Sequence, residues 1–386
     1  MQRAVLRNPR PPLPLLLALL LASSAAASAS AIPEGVVAIG DVHGDADTFL
    51  RLLRSLEIID AKDRWSGGRR RLVLTGDLID RGAASRQVLE IVMRLEAEAK
   101  TAGGEVIALL GNHEVMNLTA DLSSRSAAEF VAFREDEDAA ARAQRRESIL
   151  QLVRGSSPLL ASRYYAGLAR VLDARSFDRF FPPGYFALLS AHSAPGRYGA
   201  WLRSRPIVHR EGNTLFLHGG LSARYGGIPY AEMNRLAREA LSEHDAVLDG
   251  LERLRVFDRA LGAAELRWLV AAERAAGNSQ PDLQQLFGRL EALWRGVLFD
   301  EDGPLWYRGL ALGNERALGR ALEATLAAQG VDRLVLGHTQ PRGLAVESRF
   351  HDRVILIDTG LNQAVYGGTP SAVILRDDGT IAVWER

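Results

Sequence analysis

Cysteine is absent from the 386-residue chain. Disulfides and thiolate metal sites are therefore excluded, and any metal must be held by His, Asp, Glu or Asn. An excess of charge of either sign is missing too, since Lys+Arg and Asp+Glu are 47 each. That balance offers no general attraction to nucleic acid or to an anionic membrane. Long apolar runs are scarce. The densest, "LPLLLALLLA" near the N-terminus, is roughly 10 residues, about half of what a spanning helix needs. What remains is an ordinary soluble composition, 47% hydrophobic and 24% charged, with length for one large domain or two ordinary ones.

The N-terminus also lacks something: no acidic residue precedes Glu34, whereas Arg3, Arg7 and Arg10 are already present. The apolar core follows, and then the small-residue run "SSAAASASA", with Ala29-Ser30-Ala31 as a cleavage site. Basic, apolar and small segments in that order predict a secretory signal peptide over residues 1–31, export to the periplasm or beyond, and no stable membrane insertion after cleavage. Plastid targeting is the alternative for an Arg- and Ser-containing, acid-free segment; the leucine core argues against it.

From residue 32 onward, short apolar runs alternate with helical patterns. "GVVAIG" (35 to 40), "RLVLTG" (71 to 76), "EVIALLG" (105 to 111), "TLFLHGG" (214 to 220), "RLVLGH" (333 to 338) and "VILIDTG" (354 to 360) read as buried strands. Between them, Phe49, Leu53 and Leu56 share one helix face, as do Val88, Ile91, Val92 and Leu95. This rhythm predicts an α/β fold around a central sheet. The tail predicts a hairpin turning at Asp378-Gly379. Two Ala-, Arg-, Glu- and Leu-rich segments, 121–205 and 229–310, predict helical insertions in a single domain spanning 32–386. The charge run at 134–147 reads as a solvated helix face.

Five of the six strand-like runs end in Gly beside a His, Asp or Asn. "GDVHG" carries Asp41 and His43, "GDLIDRG" carries Asp77, Asp80 and Arg81, and "GNHE" carries Asn112, His113 and Glu114. "LHGGL" and "LGHTQ" supply His218 and His338. Ligands of α/β sheets bind beyond the carboxyl ends of strands, where all five clusters fall. One such Asp is commonly a helix cap and one such His a structural hydrogen-bonding group. Five at the same end of successive strands make a site. His192, His209, His244 and His351 lack this context and are expected on the surface or in loops. Asn117-Leu118-Thr119 fits the glycosylation pattern by coincidence.

The series "GDVHG", "GDLIDRG", "GNHE", "HGGL", "GHT" resembles the calcineurin-like metallophosphoesterases, and within them the phosphoprotein phosphatase branch. "GNHEVMNLTADL", "GPLWYRG" and "IDTGLN" resemble the bacterial-type subgroup called Shewanella-like phosphatases. The resemblance spans residues 40 to 362. It implies a sandwich of two mixed sheets flanked by helices. It also implies one divalent ion held by Asp41, His43 and Asp77, and a second held by Asp77, Asn112, His218 and His338. Manganese is expected, with iron or zinc as alternatives for an oxygen and imidazole donor set. The implied reaction is attack on phosphorus by a hydroxide that the two metals activate. Arg81 and Asn112 would bind the phosphoryl oxygens, with Arg308 as a further clamp. His113 would act as general acid, oriented by Asp80.

The implied substrate is a phosphorylated protein, peptide or small phosphomonoester, and not nucleic acid. A nucleotide or diadenosine polyphosphate hydrolase of the same fold is the alternative, but such enzymes usually read "GDLVARG", without the aspartate found here as Asp80. A non-catalytic metal- or phosphate-binding protein is a third reading, disfavoured by the presence of every expected ligand and of His113. Leu110 stands before "GNHE" where the eukaryotic enzymes usually have Arg, and their inhibitor-sensitive loop is not recognisable near 358–366. Toxin sensitivity and protein-serine specificity are therefore not implied.

Overall fold

All six apolar runs form strands in the computed structural model, which describes residues 35–155, 157–376 and 378–385. The predicted signal segment 1–31 lies outside the described residues. In chain order the strands are β1 (Gly35–Ile39), β2 (Arg71–Leu74), β3 (Glu105–Ala108), β4 (Val208–Glu211), β5 (Thr214–Leu217), β6 (Arg333–Leu336), β7 (Glu347–Arg349), β8 (Val354–Leu356), β9 (Ser371–Arg376) and β10 (Ile381–Glu385).

They build two five-stranded sheets, ordered β10-β9-β1-β2-β3 and β4-β5-β6-β8-β7. In the first, β1, β2 and β3 are parallel while β9 and β10 run antiparallel. In the second, β5, β6 and β8 are parallel, flanked by antiparallel β4 and β7. The single central sheet suggested by the strand–helix rhythm is thus two sheets, as the resemblance implied. Periodicity reports that a strand is buried, not which strand it pairs with. The sheets share one core, where Val36, Ala38 and Val73 of the first meet Phe216, Val335 and Ile355 of the second.

Strands β4 ("VHRE") and β7 ("ESR") escaped the sequence reading. Neither contains an apolar run, and each is held as a strand by antiparallel pairing to its neighbour. The predicted tail hairpin is β9–β10, with Gly379 at φ +80° in its turn.

The connecting helices follow their patterns. α1 (Ala46–Ser55) starts where the Asp45 carboxylate accepts from Thr48 N at 2.9 Å, and it buries Phe49, Leu52 and Leu53. Burial of each such side chain contributes about 1.5–3 kcal/mol. α2 (Ser85–Ala102) ends at Gly103 in the left-handed conformation. α3 (Asn112–Leu118) leaves directly from the end of the β3 segment. The segment 121–205 carries helices including Ala127–Val131, Ala139–Arg154 and Tyr185–His192; the segment 229–310 carries Tyr230–Arg253, Gly262–Ala275 and Pro281–Trp294. Both insertions are helical, as expected. No helix among the described residues is long and apolar enough to cross a membrane.

Three histidine expectations fail. His209 lies half-buried within β4 rather than in a loop. His192 and His244 are buried, each about 2% exposed, rather than lying on the surface. Each occupies the inward face of an insertion helix, a placement set by tertiary packing. Asn117, whose triplet fits the glycosylation pattern, is also buried and so is no acceptor.

Candidate active site

The parallel strands of both sheets end at one place, and the strand-end residues meet there. From β1 come Asp41 and His43; from β2, Asp77, Asp80 and Arg81; from β3 and α3, Asn112 and His113. β5 supplies His218 and β6 supplies His338. All except Arg81 are buried. His43, Asp77, Asp80, Arg81 and His338 all have positive φ, between 47° and 72°. Non-glycine residues seldom adopt that region, and such outliers cluster at functional sites. The adjoining glycines are required by close approach. A Cβ on Gly111 would stand 2.2 Å from Asp77 Oδ1, and one on Gly337 would stand 2.4 Å from Asp41 Oδ1.

Two groups have donor atoms converging closely enough to share a cation: His43, Asp77 and His113, and Asp77, His218 and His338. Asp77 belongs to both. Its Oδ2 lies 3.7 Å from His43 Nε2 and 3.2 Å from His218 Nε2. Asp41 Oδ2 lies 3.8 Å from His43 Nε2, and Asn112 Oδ1 lies 2.9 Å from His218 Nε2. Thus the structure brings together every residue expected to hold metal, and it adds His113 beside the first group.

Hydrogen bonds orient the imidazoles for ligation. His43 Nδ1 donates to the Ile79 carbonyl at 3.1 Å and His218 Nδ1 to the Thr75 carbonyl at 2.9 Å, turning both Nε2 atoms inward. His338 is reversed: Nε2 donates to the Trp306 carbonyl at 3.2 Å, leaving Nδ1 inward. Fixing one ring nitrogen on a carbonyl selects the tautomer whose other nitrogen carries a lone pair. Burial lowers the His43 pKa to about 4 and, with His218 nearby, that of His338 to about 2, so both rings stay neutral donors.

The two buried carboxylates at the centre shift in opposite directions. Burial, then the Asp358 and Asp77 carboxylates, raise Asp41 well above the usual range. Burial also penalises Asp77, but the surrounding His218 and His113 outweigh it and hold its pKa well below that range. Clustered buried carboxylates with neutral, inward-facing imidazoles form a donor set suited to hard or borderline divalent ions.

A second constellation adjoins the first. His113 Nδ1 donates to Asp80 Oδ2 at 2.7 Å, and its Nε2 faces Arg81 Nη2 at 3.1 Å. Burial works against a charged His113, yet the Asp77 and Asp80 carboxylates prevail and raise its pKa above 6.5. The Arg81 guanidinium lies over the Tyr366 ring at 5.5 Å. Arg308 is exposed near the site, donating through Nη1 to the His338 carbonyl at 2.7 Å and to Thr339 Oγ1 at 3.0 Å.

Sequence reasoning gave no role to three buried residues here. Glu114 accepts from Gly111 N and Asp77 N through Oε2, and from Leu78 N through Oε1, at 2.7–2.8 Å, lashing the β2 and β3 loops together. Its place three residues into a helix was the available signal. Asp358, at the end of the β8 segment, presses its charge on Asp41. Asn362 donates to the His43 carbonyl at 2.8 Å.

Over residues 35–342 the sequence matches the calcineurin-like phosphoesterase family, and the chain belongs to that family: it is a metallophosphoesterase, a hydrolase of phosphoesters. It is similar to Shewanella-like protein phosphatase 2 of Arabidopsis thaliana, with 26% identity over 91% of this chain and 77% of the relative. It also resembles the crystal structure of a cold-active protein-tyrosine phosphatase from a psychrophilic Shewanella species. That likeness has a TM-score of 0.56 and 25% identity, covering 91% of this chain and 80% of the other. A symmetrical bis(5'-nucleosyl)-tetraphosphatase of Methylococcus capsulatus is 26% identical, but over only 48% of this chain and 43% of that protein.

Proposed function

We propose that the chain is a two-metal phosphomonoesterase acting on phosphorylated protein or peptide, exported after removal of residues 1–31. The observation that carries the reading is the His113–Asp80 pair, 2.7 Å apart, set beside two ligand groups that share Asp77. Asp41, His43 and Asp77 would hold one ion; Asp77, Asn112, His218 and His338 the other. Manganese is the proposed metal. Such a pair, when bound, supplies charge neutralisation and a water acidified for attack on phosphorus.

The protein's own groups then divide the work. Arg81 and Asn112 bind phosphoryl oxygens, whose charge spreads in the transition state. With Arg81 Nη2 at 3.1 Å, His113 Nε2 is covered in the resting arrangement. Turning the guanidinium onto a phosphoryl group frees that nitrogen to carry a proton to the departing oxygen. Asp80 fixes the ring through Nδ1 and favours its charged form. Arg308 reaches the substrate from the site's edge in this reading.

The likeness to phosphatases over nine-tenths of the chain supports protein or peptide substrates over dinucleoside polyphosphates, for which the similarity covers about half. The test is a phosphopeptide panel and diadenosine tetraphosphate, assayed side by side with the manganese-loaded mature protein. Faster turnover of phosphopeptides is expected; preference for the dinucleotide would replace this reading.

A further inference from the structure

Asp80 is completely buried, and His113 is only one of its partners. Arg125 Nε lies 2.8 Å from Asp80 Oδ1, while His113 Nδ1 takes Oδ2 at 2.7 Å. Asn117 Nδ2 donates to both carboxylate oxygens at 3.0 Å. The carboxylate is thus fixed on both sides and cannot rotate without breaking a charge-assisted bond.

Arg125 is itself fully engaged. Its side chain is 1% exposed. Its one Nε–H donates to Asn117 Oδ1 at 2.7 Å, so the approach to Asp80 Oδ1 is an ion pair, while Nη1 donates to Glu129 Oε1 at 2.9 Å and Nη2 to His192 Nε2 at 3.1 Å. His192 accepts because its Nδ1 donates to the Leu188 carbonyl at 2.9 Å, leaving Nε2 with the lone pair. Arg125, Glu129 and His192 all belong to the helical insertion 121–205; Asp80 and His113 belong to the sheet domain's loops.

We propose that Arg125 is a positioning residue for the phosphoester reaction, through which the helical insertion holds Asp80 and so aims the imidazole of His113. The inference rests on the proposed role of His113 as proton donor. Only a planar fork reaches all four partners at once, so lysine is no substitute. A purely structural ion pair would also need Arg125, but it would not tie the effect of its loss to the leaving group.

The experiment uses the manganese-loaded mature protein and phosphate esters graded by leaving-group pKa, with metal content and circular dichroism measured in parallel. Wild type, R125Q, E129Q, D80N and the double variant D80N/R125Q are compared. R125Q should lose on the order of 10-fold on alkyl phosphates, the usual scale for a residue supporting a reacting group. It should lose much less on nitrophenyl phosphate and keep its metal. E129Q, which loosens the far end of Arg125, should give a weaker version of the same tilt. In D80N/R125Q the leaving-group dependence should match that of D80N alone, because Arg125 acts through Asp80. An equal loss across the series, or additive tilts in the double variant, would overturn the positioning role. Should R125Q fail to fold, E129Q decides: a flat profile in a folded E129Q overturns the proposal. A wild type inactive on every ester would instead remove the phosphatase reading on which it stands.

Discussion

Asp77 Oδ2 lies 3.2 Å from His218 Nε2, although the two residues follow strands of different sheets, β2 and β5. The centre therefore exists only where the two sheets meet, with Asp41 of one sheet also bonded to the His338 backbone N–H of the other at 3.1 Å. Disturbing the seam between the sheets disturbs the ligand set, and this shapes the first expectation.

Asp77→Asn should abolish turnover and metal binding together, since this carboxylate lies in both ligand groups. Metal content by mass spectrometry and hydrolysis of an aryl phosphate are the measurements. One ion lost with appreciable turnover kept would contradict a shared carboxylate.

His113→Gln should separate proton donation from metal binding. Loss of a positioned general acid costs roughly 10²–10⁴-fold on poor leaving groups. Phosphoserine releases an alkoxide that needs the proton; nitrophenyl phosphate releases a stable anion and should suffer much less. Asp80→Asn should show the same trend more mildly. An equal loss across the ester series would mean that His113 positions substrate or metal instead.

Stability should fall in mild acid because of two buried histidines outside the ligand set, His192 and His244. Burial, reinforced by Arg259, lowers His244 to about 4, and burial with Arg125 lowers His192 to about 3. The unfolded chain takes up these protons near pH 6.5 while the folded chain does not. Their contribution is therefore intact above pH 6.5 and lost as pH falls from there toward 4. By pH 5 the loss is about 2 kcal/mol for each ring. His244 Nδ1 has no hydrogen-bond partner among the described residues, so His244→Leu should flatten this slope without exposing a polar group. Urea midpoints at pH 7.5 and pH 5 measure it; an unchanged slope would refute the assignment.

Removal of the first 31 residues should leave a soluble, active protein, as the proposed targeting role of the apolar run there requires. Protein recovered from its native compartment should begin near Ile32. Retention of Met1 would end the signal-peptide reading.

Much of this was legible in the chain. Strands whose residues are apolar throughout announce themselves, and a Gly beside His, Asp or Asn at five strand ends marks where the backbone turns to meet a ligand. The ligand-set residues His43, Asp77, His218 and His338 were readable because their motifs are local. Polar β4 and β7 were not, since their strand character comes from a neighbour's hydrogen bonds. Nor was the partner of Asp80. Arg125 lies 45 positions along the chain in an insertion read only as helical, and only folding brings its guanidinium to 2.8 Å from the carboxylate. Local sequence determines which segments are buried and where the backbone turns, because those depend on nearest neighbours. Which charges meet in the interior is decided by packing among distant segments, where the cost of an unpaired buried charge admits few arrangements.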